Sequence, residues 1–523
     1  MNIADALDRN AIFFPDHEAL VDSARRWTYG QFHRDAGRLA HALIDLGVQK
    51  GDRVCLFTGN SAEFAIAFYG ILKVGAIVVS ISSMSRKREV EYMTNNCEAE
   101  VMIAGWDYAD ELPDRADIPR VRQVVVVAPT GSADGSDRSG TGDGSDVPVL
   151  PTGVDHSFWP LMDGREDPFP TVYTDREDGA EIIYTSGTTG RPKGVVLTHD
   201  NVVSNTYSTM YEAGVSRDDR AVCFLPMYHS FAQNFIFNST VRAGATLIIL
   251  PKFEAENTLR VMAEERVTRW HAVPTIYILV LGMPEAEEAF RSVTFCFSAA
   301  STMPQEVARQ WYDRFGLKIN EGYGLTESTP SAVYNHTVRH KPGTVGTPIM
   351  NVEVQIWDAD CNVLPVGSVG EIVLKGPNVM KGYYNDPVAT AESLVDGWLR
   401  TGDVGVLDEE GYLSIVDRIK DMVNSAGLKI WPREVEEVLY THEAIKECAV
   451  IGVADPLFGE NVKACIVLRS GATLCADDVV VFCKERLSSY KAPKIVEFME
   501  SLPKSATGKI LKTELRKMSE GSE

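Results

Sequence analysis

The chain has 523 residues, of which 45% are apolar, and its formal net charge is -22. This length exceeds what a single hydrophobic core usually supports, so we expect a globular protein with at least two domains. The negative charge argues against a nucleic-acid partner and against electrostatic docking on an acidic membrane, so an anionic ligand would have to be held by local groups.

The sequence shows no sign of export or of membrane insertion. The N-terminus lacks a basic region followed by an apolar run, and no apolar stretch approaches the roughly 18 to 20 residues of a membrane span. The nine cysteines are scattered, with no CxxC pair and no histidine at metal-ligand spacing. We therefore predict a cytoplasmic protein with reduced thiols.

The N-terminal part of the chain predicts alternating strands and helices. Thr28 can cap a helix that Gly47 ends, with one apolar face made of Phe32, Ala36, Leu39 and Leu43. Residues 54–56 and 76–80 predict strands, and the helix between them has an apolar stripe made of Phe64, Phe68, Ile71 and Leu72. This alternation predicts a parallel sheet covered by helices. Residues 130–146, almost wholly Gly, Ser, Asp and Thr, are typical of a surface loop.

Residues 184–194, Tyr-Thr-Ser-Gly-Thr-Thr-Gly-Arg-Pro-Lys-Gly, form a loop suited to phosphate. Glycines let backbone N–H groups turn inward, and the hydroxyls and the lysine add hydrogen bonds and positive charge. The loop is not a Walker A sequence, because Pro192 precedes the lysine and no hydroxyl follows it. Short buried strands, predicted at 181–184 and 195–197, anchor the loop as a hairpin. The candidate phosphate-binding residues are Thr185, Ser186, Gly187, Thr188, Thr189, Gly190 and Lys193.

Residues 321–327, Glu-Gly-Tyr-Gly-Leu-Thr-Glu, are a second candidate binding segment. Tyr323 could stack on a purine, Thr326 could contact phosphate, and Glu327 could hold a Mg²⁺ that bridges phosphates. Taken alone, Tyr323 and Glu327 could also be an ordinary turn tyrosine and a surface glutamate.

Two shorter segments and a separate C-terminal unit follow. Asp403, in the Thr-Gly-Asp of residues 401–403, is expected where a strand leaves a turn, a position that suits ribose binding. Residues 503–512 predict a Gly/Lys turn around Lys509. Beyond residues 417–421, the chain predicts a small α+β domain with a helix opened by Pro432, strands at 449–453 and 464–468, and a helix at 477–487.

In this order and spacing, the segments resemble the adenylate-forming superfamily of acyl- and aryl-CoA synthetases, luciferases and carrier-protein adenylation domains. The resemblance covers nearly the whole chain and includes residues 184–194, 323–327, 343–346, 401–403, 417–421 and 503–509. It implies an α/β fold: a large N-terminal domain, residues 1–419, of parallel-rich sheets layered with helices, and a small mobile α+β domain, residues 420–523. It also implies that a carboxylate attacks the α-phosphate of Mg-ATP, and that the CoA thiol then takes the acyl group and releases AMP.

The resemblance implies roles for the matching residues. Lys509 would lie between the reacting carboxylate and the α-phosphate, Glu327 would hold Mg²⁺, and Thr326 and Thr185 would contact phosphate. His229, in a motif that ends in alanine where the family usually has glycine, could gate the reacting carboxylate. It could equally be a buried structural histidine.

The implied nucleotide site continues with Asp403 at the ribose, Arg418 at the ribose and phosphate edge, and Tyr323 on the adenine. It also includes Ala299, Ala300, Ser301, Glu321, Gly322 and Gly324. Residues 298–301 depart from the family pattern, because Ala299 replaces a glycine, and this added bulk should reshape the floor of the adenine and acyl pockets.

The resemblance places a hinge at Lys420, about which the small domain would rotate to withdraw Lys509 and admit the thiol. Gly427 would border the CoA channel, beside Ser425 and Lys429. The alternative for Gly427 is a turn glycine with positive φ.

We interpret the chain as an AMP-forming acid:CoA ligase that acts on an apolar carboxylic acid, and it could also form a homodimer. Phe231, Phe235 and Tyr277 are the candidate acyl-pocket residues, because they lie in apolar and aromatic stretches. These stretches contain no lysine or arginine to pair with a second carboxylate, which favours an apolar acid. The alternatives are an enzyme that loads a carrier-protein phosphopantetheine, and a nucleotide-binding module without turnover. A luciferase-like oxygenase has no distinguishing feature here.

Overall fold

The computed structural model describes residues 1–23, 25–128, 150–186, 191–505 and 507–520, so the predicted surface loop at 130–146 lies outside the described residues. Two helix-covered sheets, A and B, are followed by an antiparallel sheet C and by a separate sheet D near the C-terminus. The expected fold class is confirmed: a large α/β N-terminal domain precedes a smaller domain built on a mainly antiparallel sheet.

Sheet A contains the predicted phosphate-binding hairpin. Its strands, in spatial order, are Gly382–Tyr383, Pro192–Thr198, Gly179–Ser186, Ile77–Ser80, Arg53–Phe57, Val101–Gly105, Gln123–Val127 and His156–Ser157. Arg53–Phe57 pairs in parallel with Ile77–Ser80, which confirms the predicted strand–helix–strand unit. Gly179–Ser186 and Pro192–Thr198 pair antiparallel, which confirms the hairpin with strands longer than expected.

The two helices of this unit differ in how they are buried. Tyr29–Asp45 begins as predicted, with Thr28 Oγ1 accepting the N–H of Gln31, and its expected apolar face is buried. The predicted helix Ala62–Val74 is confirmed and its apolar stripe is buried, but the rest of the helix is buried as well. This helix packs against Tyr29–Asp45 and also against strands of sheets A and B, so all its faces are covered.

Sheet B carries the strand ends that build the site. Its strands, in spatial order, are Thr347–Pro348, Val333–Tyr334, Ile319–Tyr323, Phe295–Ser298, Arg269–Ala272, Arg220–Cys223, Thr246–Ile249, Glu18–Asp22 and Arg25–Thr28. The strands from Ile319–Tyr323 to Glu18–Asp22 run parallel. Their carboxyl ends therefore share one edge of the sheet.

The strands of sheet C show that the predicted position of Asp403 is wrong. It contains Glu353–Trp357, Gly370–Lys375, Trp398–Leu407, Leu394–Val395 and Leu413–Arg418. Asp403 does not lie where a strand leaves a turn, because Trp398–Leu407 runs through residues 401–403. Gly402 has φ +72, and the pairing with Gly370–Lys375 shifts register nearby, so this strand is locally irregular.

The small domain is built on sheet D, with strands Leu428–Ile430, Val423–Ser425, Gly459–Leu468, Ile445–Asp455 and Ile495–Phe498. The two strands predicted at 449–453 and 464–468 are parts of one long antiparallel hairpin. Pro432 does open a helix, Pro432–Tyr440, and the last predicted helix lies at Ala476–Lys484. Val435 and Leu439 pack with Val450 and Ile466 in the core of this domain.

The remaining α-helices are Asp5–Phe13, Lys87–Asn96, Phe158–Leu161, His199–Glu212, Ser239–Ala243, Ala255–Glu264, Pro274–Val280, Ala286–Ala289, Gln305–Phe315, Pro387–Ser393 and Lys512–Glu520. Phe231–Asn238 is a π-helix, and Trp106–Glu111, Thr326–Ser328 and Ile419–Asp421 are 3₁₀ turns. Across the described ranges, no helix has both the length and the apolar character that a bilayer crossing requires.

All nine cysteines are free thiols. Cys475 is exposed, Cys361 is half-buried and the others are buried.

Candidate active site

The candidate site lies where parallel strands of sheet B end. Arg269–Ala272, Phe295–Ser298 and Ile319–Tyr323 run side by side, so their carboxyl ends meet at the edge where open α/β sheets bind ligands. Thr275 and residues 299–301 follow the first two strands, and Tyr323 ends the third. The topology therefore gathers segments that are far apart in sequence.

Asp403 is held by two of the predicted nucleotide-binding residues. The Tyr323 hydroxyl donates to Asp403 Oδ2 at 2.8 Å, and Arg418 Nε lies 3.1 Å from Asp403 Oδ1. Arg418 reaches this position because it is paired with Asp403 across the antiparallel strands. Burial raises the pKa of Tyr323 well above its ordinary value. A carboxylate offers about four acceptor positions, so Asp403 could still accept hydrogen bonds from ribose hydroxyls.

Glu327 and Lys193 both contact Tyr383. The Tyr383 hydroxyl donates to Glu327 Oε1 at 2.9 Å, and Lys193 Nζ lies 5.1 Å from the centroid of the Tyr383 ring. Burial raises the pKa of Glu327. Thr185 is half-buried and pairs with Lys193 across the hairpin. The rest of the predicted phosphate loop, namely Gly187, Thr188, Thr189, Gly190 and the side chain of Ser186, lies outside the described residues.

Thr326 and His229 are neighbours through Ser230, whose hydroxyl lies 3.3 Å from the Thr326 hydroxyl. His229 accepts the backbone N–H of Phe231 at Nδ1, at 3.2 Å, so in its neutral form the ring proton stands on Nε2. Burial, with a smaller contribution from the Lys509 charge, lowers the pKa of His229 to about 4. The imidazole is therefore neutral near pH 7 and can donate a hydrogen bond.

Lys509 lies in a tight turn that docks on the N-terminal domain. Ser505 N–H donates to the Lys509 carbonyl at 2.8 Å, and Lys509 N–H donates to Ser505 Oγ at 3.2 Å. The Gly508 carbonyl accepts the Thr275 hydroxyl at 3.1 Å. Gly508 has φ +81, and a Cβ there would lie 3.0 Å from Val273 Cγ2, so this close approach requires glycine.

The environment of Lys509 lowers the pKa of its ammonium group. Burial lowers its pKa to about 8, assisted by the charge of Arg418 and opposed by Asp403 and Asp421. The charges of Arg418 and Asp403 therefore act on Lys509 as well as on each other. An anion bound beside Lys509 would favour its charged form.

Residues 299–301 and Glu321 lie at the ends of two adjacent parallel strands of sheet B, where Glu321 pairs with Ser298. Ala300 has φ +70, a left-handed conformation that costs a residue with a Cβ roughly 1 to 2 kcal/mol. Glu321 is buried, its carboxylate accepts the N–H of Met303 at 3.3 Å, and burial raises its pKa to about 7. Glu321 therefore braces the loop that contains Ala300 and Ser301.

Two predicted glycines are required by packing. A Cβ on Gly322 would lie 2.5 Å from Phe297 Cζ, and a Cβ on Gly324 would lie 1.7 Å from the Pro330 carbonyl oxygen. Only glycine fits such approaches without displacing its neighbours.

The candidate acyl-pocket residues separate into two groups. Phe231 and Phe235 lie on the π-helix that follows His229, and Phe235 stacks on Phe297 with ring centroids 4.2 Å apart. Tyr277 instead packs edge-on against Trp311, and its hydroxyl donates to the Phe297 carbonyl at 3.0 Å. Those contacts are typical of a core residue, so the assignment of Tyr277 to the pocket stays a prediction without support from its surroundings.

The residues assigned to the hinge and to CoA lie in the small domain or at its start. Lys420 is exposed in the turn Ile419–Asp421, between sheets C and D. Gly427 is exposed with φ +83, in the hairpin whose Ala426 N–H donates to the Phe458 carbonyl at 2.7 Å. Ser425 is buried and Lys429 is exposed. Gly427 is thus a turn glycine in this orientation, and its role in the CoA channel stays a prediction.

Sequence reasoning missed Tyr383, Ser230 and Thr275. Tyr383 lies on a strand of two residues, which is too short for a periodic signal. Ser230 adjoins the predicted His229, and Thr275 acts only through a contact with a residue more than 200 positions away. Ser230 could have been identified from its position next to His229, whereas Tyr383 and Thr275 could be identified only from the three-dimensional structure.

Comparisons with known proteins identify the family of this chain. The family model described as AMP-binding enzyme matches residues 7–384, and the one described as AMP-binding enzyme C-terminal domain matches residues 434–509. A long-chain-fatty-acid–CoA ligase from Bacillus subtilis is 35% identical over 97% of this chain and 93% of its own. A feruloyl-CoA synthase from Amycolatopsis is 34% identical over 97% of both chains.

Among solved structures, ATP-bound MatB from Rhodopseudomonas palustris superposes with a TM-score of 0.88 at 30% identity, over 99% of both chains. The likeness thus extends over nearly the whole length of both chains. The chain therefore belongs to the AMP-binding enzyme family and is an AMP-forming acid:CoA ligase, which uses ATP and CoA.

Proposed function

We propose that this ligase activates an apolar carboxylic acid and that Lys509 is the cation between the two reacting anions. The supporting observation is the docking of the Lys509 turn on Thr275, which brings the lysine within the electrostatic influence of Asp403, Arg418 and His229. This orientation of the small domain suits the first half-reaction.

In that step, a carboxylate oxygen attacks the α-phosphorus of ATP, and the bond to the oxygen of the departing pyrophosphate breaks. Asp403 and Arg418 would hold the ribose, the Tyr323 ring would lie on the adenine, and Thr326 would contact phosphate. Lys509 would offset the repulsion between the anions, a kind of interaction whose loss typically costs about 3 to 4 kcal/mol. His229 would donate from Nε2 toward the reacting carboxylate.

Mg²⁺ fits the residues at Glu327. No group of three or more His, Cys, Asp and Glu side chains in the described ranges could hold a metal by itself, but Mg²⁺ commonly takes one or two carboxylates and completes its shell with phosphates and water. The Glu327 carboxylate has one oxygen bound by Tyr383 and makes no ion pair among the described residues. When bound, Mg²⁺ would neutralise charge on the triphosphate.

In the second step, the CoA thiolate attacks the acyl carbon, the bond to the phosphate oxygen breaks, and AMP leaves. We propose that the small domain first rotates about Lys420, which withdraws Lys509 and brings the Gly427 hairpin to the thiol channel. The exposed positions of Lys420 and Gly427 are compatible with both movements.

The proposal of an apolar acid rests on Phe231, Phe235 and Phe297, whose buried rings pack together next to His229. A second carboxylate among them would be buried without a partner, which costs several kcal/mol. Of the relatives above, one is named for long-chain fatty acids and one for feruloyl-CoA, both acids with large apolar parts.

The test is pyrophosphate release across fatty, aryl and dicarboxylic acids, with and without CoA. We expect release with apolar monocarboxylic acids and acyl-CoA formation when CoA is added. Dicarboxylic acids as the best substrates would contradict the proposed pocket. Transfer to a carrier-protein phosphopantetheine in preference to CoA would contradict the assignment of the thiol.

A further inference from the structure

Two opposite charges of the nucleotide site are partly buried without an ion pair. Lys193 and Glu327 are both half-buried, and neither makes an ion pair in the part of the chain that the structure describes. Each instead contacts the same neutral side chain, Tyr383. Unpaired charges in such positions attract each other and are expected to pair unless something holds them.

Tyr383 is itself firmly placed. Its strand pairs with the strand of Lys193, with Tyr383 opposite Val195, and its N–H donates to Thr390 Oγ1 at 2.9 Å. Nearby, the Met380 N–H donates to the Glu327 carbonyl at 2.8 Å, which fixes the backbone of Glu327 against the same segment. The ring therefore stands on a rigid backbone between sheet A and the turn of Glu327.

We propose that Tyr383 is a positioning residue of the nucleotide site, which holds the Glu327 carboxylate by its hydroxyl and the Lys193 ammonium by its ring, so that the two charges stay available to Mg²⁺ and to phosphate. This inference rests on the proposed role of Glu327. Tyr383 acts through Glu327 and Lys193, and its hydroxyl and its ring have separable effects.

Removal of the hydroxyl and removal of the ring should have different effects on ATP binding. Tyr383→Phe keeps the aromatic ring beneath Lys193 but removes the hydroxyl that donates to Glu327. The factor by which Mg²⁺ increases the affinity for ATP should therefore fall about tenfold. ATP affinity measured in EDTA should change less than about twofold. Tyr383→Ala should in addition weaken ATP binding in EDTA about threefold, because the cation–π contact is lost.

The experiment is calorimetric titration of the full chain with ATP, without any acid, in EDTA and in Mg²⁺. Tyr384→Phe is the matched control, because it removes the hydroxyl of the next residue, which packs against a different cluster containing Cys55 and Val79. We expect this control to bind ATP as the parent does under both conditions, with all variants unfolding at similar temperatures.

A double variant separates this inference from the proposed function. In the Glu327→Gln background, Tyr383→Phe should cause no further loss of the Mg²⁺ effect, because the two residues act as one unit. A Glu327→Gln variant that keeps the full Mg²⁺ effect would overturn the proposed role of Glu327. If the gain in ATP affinity caused by Mg²⁺ is lost in Glu327→Gln but retained in Tyr383→Phe, only the positioning role of Tyr383 is overturned.

Discussion

Lys509→Ala should lower the rate of acyl-adenylate formation about a thousandfold, because it removes the positive charge between two anions. Preformed acyl-adenylate and CoA should still yield the thioester at nearly the parent rate. Both half-reactions can be followed separately, by pyrophosphate release and by acyl-CoA formation. Lys517→Ala, on the exposed face of the last helix, is the control. Unchanged pyrophosphate release in Lys509→Ala would contradict the assignment.

The pH dependence of adenylation should follow Lys509. Burial lowers the pKa of this lysine to about 8, so in the free enzyme it is charged below that pH and becomes neutral above it. We expect kcat/KM for adenylation to fall about tenfold per pH unit well above pH 8. His229, with a pKa of about 4, is neutral throughout this range. In Lys509→Arg the decline should vanish, whatever the absolute rate, because arginine stays charged; a decline that persists would assign it to another group.

At the residue scale, the motifs indicate Asp403, Glu327 and Lys509 as candidates, because charged side chains within three residues of a glycine form short recognisable patterns. The structure adds what these residues touch. Asp403 already has two partners, and the pKa of Lys509 depends on residues from separate strands and turns. Tyr383 carries no charge and lies on a very short strand, so only the fold shows its contact with Glu327.

At the scale of elements, the Lys509 turn should depend on the missing side chain of Gly508. Gly508→Ala introduces a Cβ about 3.0 Å from Val273 Cγ2 at a residue with φ +81, so the turn should dock less well. We expect adenylation to slow about tenfold while the thioester half-reaction stays near normal. Gly471→Ala is the control, since that glycine has φ +76 in the same domain and no atom within 4 Å of its Cβ position. Equal effects of the two variants would mean that backbone strain alone is responsible.

The hairpin of Gly427 gives the opposite prediction. Gly427→Leu should leave acyl-adenylate formation nearly normal and suppress transfer to CoA, so that the adenylate accumulates on the enzyme. Its Cβ would meet no atom within 4 Å in the present orientation, so adenylation has no reason to suffer from a clash. Single-turnover assays that quantify acyl-AMP and acyl-CoA separately measure this. Gly471→Leu controls for the strain of positive φ, and equal loss of both products would make Gly427 only a turn glycine.

Elements that depend on residues close in sequence were predictable, whereas features that depend on tertiary packing were not. The helix Tyr29–Asp45 begins where Thr28 can cap it, and the phosphate hairpin follows from two apolar runs around a glycine-rich loop. The helix Ala62–Val74 shows the limit of periodicity, because only the tertiary structure reveals that its second face is also covered. Residues 401–403 look like a turn, yet they form an irregular part of a strand.

At the scale of the whole molecule, completion of both half-reactions should depend on backbone freedom at Lys420. Lys420→Pro fixes φ and removes an N–H in the exposed turn between sheets C and D, so it should hold the small domain in one orientation. We expect one half-reaction to be retained and the other to fall at least tenfold. Lys420→Ala removes the side chain but keeps the backbone free, and both steps should survive in it. Loss of both steps in Lys420→Pro, with unchanged circular dichroism, would argue against a hinge at this position.

The order of domains was predictable from the motifs, whereas their docking was not. The contact between Thr275 and Gly508 joins residues whose positions in sequence give no hint of proximity. The same holds for Gln305, whose N–H donates to Glu437 of the small domain at 3.5 Å. Such contacts depend on complementary surfaces of two separately folded units, which neither periodicity nor local motifs encode.

The cysteines offer a practical route to this domain movement. Cys475, exposed at the start of the helix Ala476–Lys484, carries an accessible thiol, whereas most of the other thiols are buried. A maleimide dye should therefore label the small domain preferentially at one position, without engineered cysteines elsewhere. Paired with a fluorescent nucleotide in the large domain, the labelled enzyme would report by energy transfer when the small domain turns, in real time and during a single catalytic cycle.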